Sequence, residues 1–218
     1  MAHTREGAEA RGRAQRKELT RQALLDAALR LLADRGLSSL SLREVTRAAG
    51  IVPAAFYRHF DDMGQLGVAL VEQSLGGMRG AERMVRVGLT GSDELIEQSM
   101  AALVDDVRRH PEGYRFLARE RYGGVAVVRH AIEEELQRGA DELAADLIHD
   151  DLNATAGYLR EWPAEDLRMA TALIANHMWQ TAAALLEVID NPVATAALRD
   201  RVTRQLRLIV LGCRNWRG

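Results

Sequence analysis

The sequence predicts an all-α protein: a helix-turn-helix in the first sixty residues, then a bundle of longer helices. Three observations carry this. Apolar residues recur at helical spacing nearly throughout the 218 residues. No stretch alternates with period two for long enough to argue a sheet. Two short helical segments, parted by Gly50-Ile51-Val52, directly follow a longer one, which is the order of a helix-turn-helix.

In chain order, Leu24, Ala27, Ala28, Leu31 and Leu32 mark one face of a helix over about 16–35, with Gly36 expected as its C-cap. Ser41-Leu42-Arg43-Glu44 reads as a capping box, with Ser41 at the N-cap and Glu44 three residues inside. The short helix it opens turns Leu42, Val45, Ala48 and Ala49 inward and stops at Gly50. Pro53 then suits the first position of another short helix ending near Phe60. A helix from about Asp62 runs toward Gly88–Gly91, and a further helix over 92–109 repeats Ile96, Met100, Leu103, Val104 and Val107 until His110-Pro111 breaks it. A short helix over 112–122 ends at Gly123-Gly124, and Ile132, Leu136, Leu143 and Leu147 line the next. Pro163 opens a long helix to about Asp190, and Asn191-Pro192 parts it from a last one over 193–214 with Leu198, Val202, Leu206, Ile209 and Cys213 on one side.

Composition narrows the setting. At 47% hydrophobic and 28% charged residues the chain can bury a core, which excludes a disordered or low-complexity reading. Cys213, the single cysteine, excludes an internal disulfide and a zinc knuckle, and the basic start has no apolar run behind it, so a reducing, cytoplasmic setting is expected. The 18 residues from Met169 to Leu186 lack charge, but Thr171, Asn176, His177, Gln180 and Thr181 within them argue for a helix buried in protein rather than lipid.

Charge is divided unevenly. Residues 1–60 hold eleven Lys and Arg against six Asp and Glu, whereas the rest holds 18 against 25. A basic head on an acidic body directs only the head toward a polyanion such as double-stranded DNA. In that setting the second short helix enters the major groove and the first braces it. Tyr57 and His59 are candidates for phosphate contacts, Arg58 for a guanine, and Pro53, Ala54 and Ala55 for close approach, Ala54 and Ala55 also for thymine-methyl contact. Arg43 and Thr46 lie on the bracing helix within reach of the duplex, while Phe56 and Phe60 read as core plugs. Arg5, Arg11, Arg13, Arg16 and Lys17 suit a basic N-terminal arm over 1–15 and its junction with the first helix.

The run from Leu42-Arg43-Glu44-Val45 through Ala49-Gly50-Ile51 to Phe56-Tyr57-Arg58-His59-Phe60 resembles the N-terminal signature of TetR-family transcriptional regulators. The resemblance implies a three-helix DNA-binding domain, here 16–61, and a six-helix ligand-sensing and dimerisation domain, here 62–218. Such a protein is a homodimer that represses from a palindromic operator. It also implies phosphate contacts at Tyr57 and His59. Where the family often has a lysine after the His-Phe pair, this chain has Asp61-Asp62. Arg115-Phe116-Leu117-Ala118-Arg119-Glu120-Arg121 and Gln205-Leu206-Arg207 are further similar to the FabR and DesT branch, whose members repress genes of unsaturated fatty acid synthesis and respond to long-chain acyl thioesters. An acyl-CoA or acyl-carrier-protein effector is what that likeness implies. The alternative is a regulator of an efflux or catabolic gene answering another hydrophobic molecule.

The residues fit such an effector. Met100, Leu103, Phe116, Leu173, Met178 and Trp179 are candidate linings of an apolar slot, and Arg108, Arg109, Arg115, Arg119, Arg121 and Arg129 are candidate cations near its mouth. Arg115 and Arg119 are the two singled out for the ligand. The apolar faces of the last two long helices suit a four-helix interface between two copies. An enzyme is disfavoured: the chain lacks a nucleophile elbow, a phosphate-cradling glycine loop and a His-Glu-x-x-His pattern, and His130 with Glu134 or Asp106 with His110 are single pairs too few for a metal centre. No cofactor or metal is expected.

Overall fold

A computed structural model describes residues 2–86, 92–148 and 157–216. Among these there are nine α-helices and no strand. The head comprises α1 (Ala2–Leu31), α2 (Leu42–Ala48) and α3 (Pro53–Phe56). The body comprises α4 (Met63–Arg86), α5 (Ser92–Arg109), α6 (Pro111–Glu120), α7 (Ala126–Ile148), α8 (Ala164–Val188) and α9 (Pro192–Asn215). Short 3₁₀ turns stand at Leu37–Ser39 and Gly157–Glu161. The glycines expected to close α4, Gly88 and Gly91, lie outside the described residues.

Local chemistry explains the head's corners. Glu44 N–H donates to Ser41 Oγ at 3.4 Å while Ser41 N–H donates to Glu44 Oε2 at 2.9 Å, a closed capping box. The Arg35 guanidinium adds an ion pair to Glu44 at 2.9 Å. The Ser41 hydroxyl, then the Ser41 backbone N–H and Arg35, hold the Glu44 carboxyl down to about 2. A depressed carboxyl stabilises the fold above its ordinary value of 4.5, and that contribution is lost as pH falls through about 2. We expect Ser41→Ala to move the Glu44 midpoint up toward its ordinary value in an NMR titration and to cost about 1 kcal/mol of stability. An unmoved midpoint would assign the shift to Arg35 instead. At the other end of α2, Gly50 takes φ +68°, and Ile51 N–H reaches Thr46 O at 2.9 Å while Gly50 N–H reaches Arg47 O at 3.1 Å. This Schellman closure needs a left-handed residue, which glycine supplies without strain.

Three expectations are corrected. Helix α1 begins at Ala2 rather than near 16, because the segment read as an arm is rich in Ala, Glu and Arg, good helix formers uninterrupted by proline. The side chains of Arg5, Arg11 and Arg13 lie outside the described residues. Gly36 is not a left-handed C-cap, since α1 ends at Leu31 and Gly36 is extended at φ −82°, ψ 159°. The inward face of α2 uses Thr46 in place of Ala48, which is exposed.

One apolar cluster runs from Leu24, Leu32, Val45 and Phe56 in the head through Leu66 and Leu70 of α4 to Met100, Phe116, Trp179 and Leu206 in the body. The head therefore shares its core with the body. A second, small cluster joins Ala144, Leu159 and Leu167 at the far end.

Candidate DNA-facing surface and effector region

The end of the head is built around two plugs. Phe56 and Phe60 are buried with ring centroids 5.5 Å apart, and Arg21 of α1 lies 5.5 Å over the Phe60 ring. With these two rings turned inward, the residues between and before them turn out. Val52, Pro53, Ala54, Tyr57 and Arg58 are exposed, Tyr57 to 61%, and Ala55 and His59 are half-buried. The α-helix ends at Phe56, but Arg58, His59 and Phe60 N–H groups donate to Ala55 O, Phe56 O and Phe56 O, so the turn continues to Phe60. Arg43 is exposed on the same helix-turn-helix. Thr46 does not join this surface: it is 1% exposed and its hydroxyl donates to Leu42 O at 2.9 Å.

Neither aspartate after the plug neutralises Arg58. Asp62 Oδ1 accepts Gln65 N–H at 2.8 Å, opening α4, and Asp61 Oδ2 accepts Gln65 Nε2 at 2.9 Å. Among the described residues the Arg58 guanidinium has no hydrogen bond or ion pair. Burial first, then the charges of Lys17, Arg21 and Arg58, push His59 below its ordinary value, with Glu18 opposing. His59 is therefore neutral at pH 7, and its Nδ1 is buried without a partner. Two contributors escaped the sequence reading. Arg21 joins Lys17, one turn earlier on α1, beside His59, and Val52 stands exposed at the N-cap of α3. The four-residue spacing of Lys17 and Arg21 was the available signal.

In the body, Met100 and Leu103 of α5, Phe116 of α6 and Met178 and Trp179 of α8 come together in the main cluster, all buried. Leu173 does not join them; it is 56% exposed on the outer face of α8, because a residue five or six positions before Met178 and Trp179 points elsewhere on a helix. Three of the arginines, Arg119, Arg121 and Arg129, are engaged rather than gathered at a mouth. Arg121 donates to Asn176 Oδ1 at 3.1 Å and lies 5.7 Å over the Trp179 ring, at the edge of a cleft of about 220 Å³ also lined by Gln137, Ala140 and Ala172. Arg129 donates to Gly123 O at 2.6 Å. Arg119 reaches back to the head, donating to Leu32 O at 2.8 Å and Arg35 O at 2.9 Å. Arg115 and Arg108 are exposed.

Among the described residues no group of three or more His, Cys, Asp or Glu could hold a metal ion, and no helix is long and apolar enough to cross a membrane. His130 and Glu134 form an exposed pair at 3.1 Å, and Asp106 is occupied by Tyr114 Oη at 2.7 Å.

The helix-turn-helix head, with its second helix outward, is set on a body that has six α-helices among the described residues. Residues 24–70 match the family model for bacterial regulatory proteins, tetR family, so this segment carries the tetR-type head and the chain as a whole has the TetR fold. The fatty acid degradation regulator FadR from Bacillus halodurans is similar over 86% of this chain and 94% of its own, at 16% identity and a TM-score of 0.68. A tetR-family transcriptional regulator from Streptomyces coelicolor is similar over 88% and 80%, at 19% and 0.64. The transcriptional regulator FadR from Bacillus subtilis, solved in complex with stearoyl-CoA, is similar over 85% and 96%, at 18% and 0.60. Identities this low carry the fold alone. All three are named as regulators.

Proposed function

We propose that this chain is a homodimeric repressor that binds a palindromic operator through its head and answers a long-chain acyl thioester through its body. The observation that carries the DNA reading is the inward pairing of Phe56 and Phe60, which leaves Ala54, Tyr57 and Arg58 outward on one short helix. Tyr57 and the Nε2 of neutral His59 contact phosphates, aided by Lys17 and Arg21, whose charges lie beside them. Arg58 and Arg43 read guanine edges, and Val52, Ala54 and Ala55 meet thymine methyls. Arg5, Arg11 and Arg13 add further cations from the first turns of α1.

Support for the acyl effector is of two kinds. Met100, Leu103, Phe116, Met178 and Trp179, from three helices, all belong to the main apolar cluster, so a chain entering there would displace soft apolar side chains rather than polar ones. Two similar folds are named as FadR, one of them bound to stearoyl-CoA. These names favour acyl sensing without singling out the branch that governs unsaturated fatty acid synthesis. With Arg119 engaged on the head, Arg121 on Asn176 and Arg129 on Gly123 O, the exposed Arg108 and Arg115 are the cations left for the thioester's phosphates.

Footprinting on the DNA flanking the chain's own gene, with and without stearoyl-CoA, tests both halves. Stearoyl-CoA should also raise the thermal midpoint, because a ligand bound only to the folded state stabilises it. In the same assay, Tyr57→Phe with His59→Ala should weaken all duplexes alike by about 1–3 kcal/mol, and Arg58→Ala should relax sequence choice at one position. Loss of discrimination with undiminished affinity in the first variant would overturn the phosphate assignment.

A further inference from the structure

Beside their shared core and a hydrogen bond from Gln22 Nε2 to Gln73 Oε1 at 3.2 Å, head and body are joined by two links of different character. The first is buried. Glu120 at the end of α6 is 2% exposed, and its Oε1 accepts the Leu37 backbone N–H at 2.8 Å. The Leu37 side chain is wedged against Gly67 of α4 and Val128 of α7, where a methyl added at Gly67 would collide with both. Gly36 makes the approach feasible, since even its own added Cβ would lie 3.2 Å from Glu120 Oε1. This joint has no slack, and breaking it would strand a buried carboxylate and a buried N–H.

The second link is open to water. Arg119, exposed, hooks its guanidinium over the end of α1 and donates to Leu32 O at 2.8 Å, Ala33 O at 3.3 Å and Arg35 O at 2.9 Å. These carbonyls follow the last turn of α1, where a cation is favoured by the helix dipole. Water can take over the exposed bonds to Ala33 O and Arg35 O, while the bond to Leu32 O is part-buried, so this link opens at less cost than the first. Helix α6 carries both links at one end, while Phe116, one turn before, sits in the apolar cluster with Met100 and Trp179. Anything that shifts Phe116 shifts both.

We propose that the two links work as a pivot and a clamp: the head turns about Leu37, held by Glu120, and Arg119 fixes its angle by gripping the end of α1. Arg119 is then a positioning residue for the head, not a ligand contact. The proposal rests on the DNA-reading function for its consequence, though not for its mechanics. Release of the clamp lets the head sample other angles while the pivot stays closed, which loosens operator fit without unfolding the body.

The test compares full-length wild type with Arg119→Met, which keeps the apolar stem and removes the donors. Hydrogen exchange by mass spectrometry is followed across residues 30–40, 111–125 and 164–188, beside affinity for a duplex that the wild type selects from a random pool. Exchange across 30–40 should quicken about tenfold while 164–188 stays unchanged. Duplex affinity should fall about fivefold or more, and Arg119→Lys, with three ammonium donors, should restore part of both. Unchanged exchange across 30–40 overturns the clamp, and so does equal acceleration over all three segments, which would mark a general loss of stability. Should wild type select no duplex, the DNA reading fails, and the exchange pattern still decides the clamp on its own.

Discussion

Leu173→Asp combined with Leu208→Asp should convert the protein to single chains and reduce operator affinity by about 100- to 10,000-fold, the range by which linking two binding modules exceeds either alone. Met169 and Leu173 repeat at four residues on α8, exposed to 52% and 56%, and Leu208 and Leu211 at three residues on α9, exposed to 69% and 56%. The opposite faces of the same helices are fully employed: Met178, Trp179, Ala182 and Leu185 on α8, and Leu198, Val202 and Leu206 on α9, are in the main cluster. These outer leucines and methionine therefore have no part in the single chain's core, and an apolar strip of this kind suits a second copy related by a two-fold axis. Carboxylates placed there meet their own symmetry mates, so repulsion and desolvation oppose pairing. Under the proposed function a single head should keep its phosphate contacts and sequence preference but lose the effective concentration that a second head would provide. Light scattering reads the mass and a half-site duplex reads the residual affinity. A variant that remains dimeric, or a monomer that binds the full operator as well as wild type, would remove these helices from the interface.

The contrast between what could be read in the chain and what could not follows from distance along it. The capping box of Ser41 and Glu44, Pro53 opening α3, the stop of α2 at Gly50 and the break at Asn191-Pro192 each depend on residues within a turn of one another, and each stands where local chemistry put it. Phe56 and Phe60 were legible as plugs for the same reason: aromatic rings four apart share a face. Gly36 is there not for a turn but for the carboxylate of Glu120, which belongs to a helix far along the chain and leaves no local signal. Arg119 looked like one of a cluster of surface cations, and only folding reveals that its partners are carbonyls 84 to 87 residues earlier. Thr46 and Leu173 failed differently. Each has the composition expected of its role, but helical rotation turned Thr46 into the core and Leu173 out of it. Periodicity names a face, and which face meets which neighbour is settled by tertiary packing.

Phe56→Ala should lower stability by about 3–5 kcal/mol and abolish operator binding, although the side chain touches no DNA in the proposed complex. Phe56 is wholly buried, packed edge-on to Tyr57 at 5.7 Å and tilted against Phe60 at 5.5 Å. Removing the ring leaves a cavity under the short α3, which has only four residues and no side-chain cap to hold it. Such a helix persists through its packing, not through its own propensity. Tyr57 and Arg58 then lose the platform that turns them outward together. Because Val45, Leu24 and Leu70 belong to the same cluster as Phe56, the loss does not stay local, and the thermal midpoint of the whole chain should fall by about 6–20 °C at about 2–4 °C per kcal/mol for a protein of this size. Phe56→Leu separates volume from contact. It refills most of the space, should cost under about 1.5 kcal/mol, and should keep operator binding near wild type. If Phe56→Ala bound the operator within about twofold of wild type with its midpoint unmoved, α3 would stand without its plug, and the outward presentation of Tyr57 and Arg58 would need another cause.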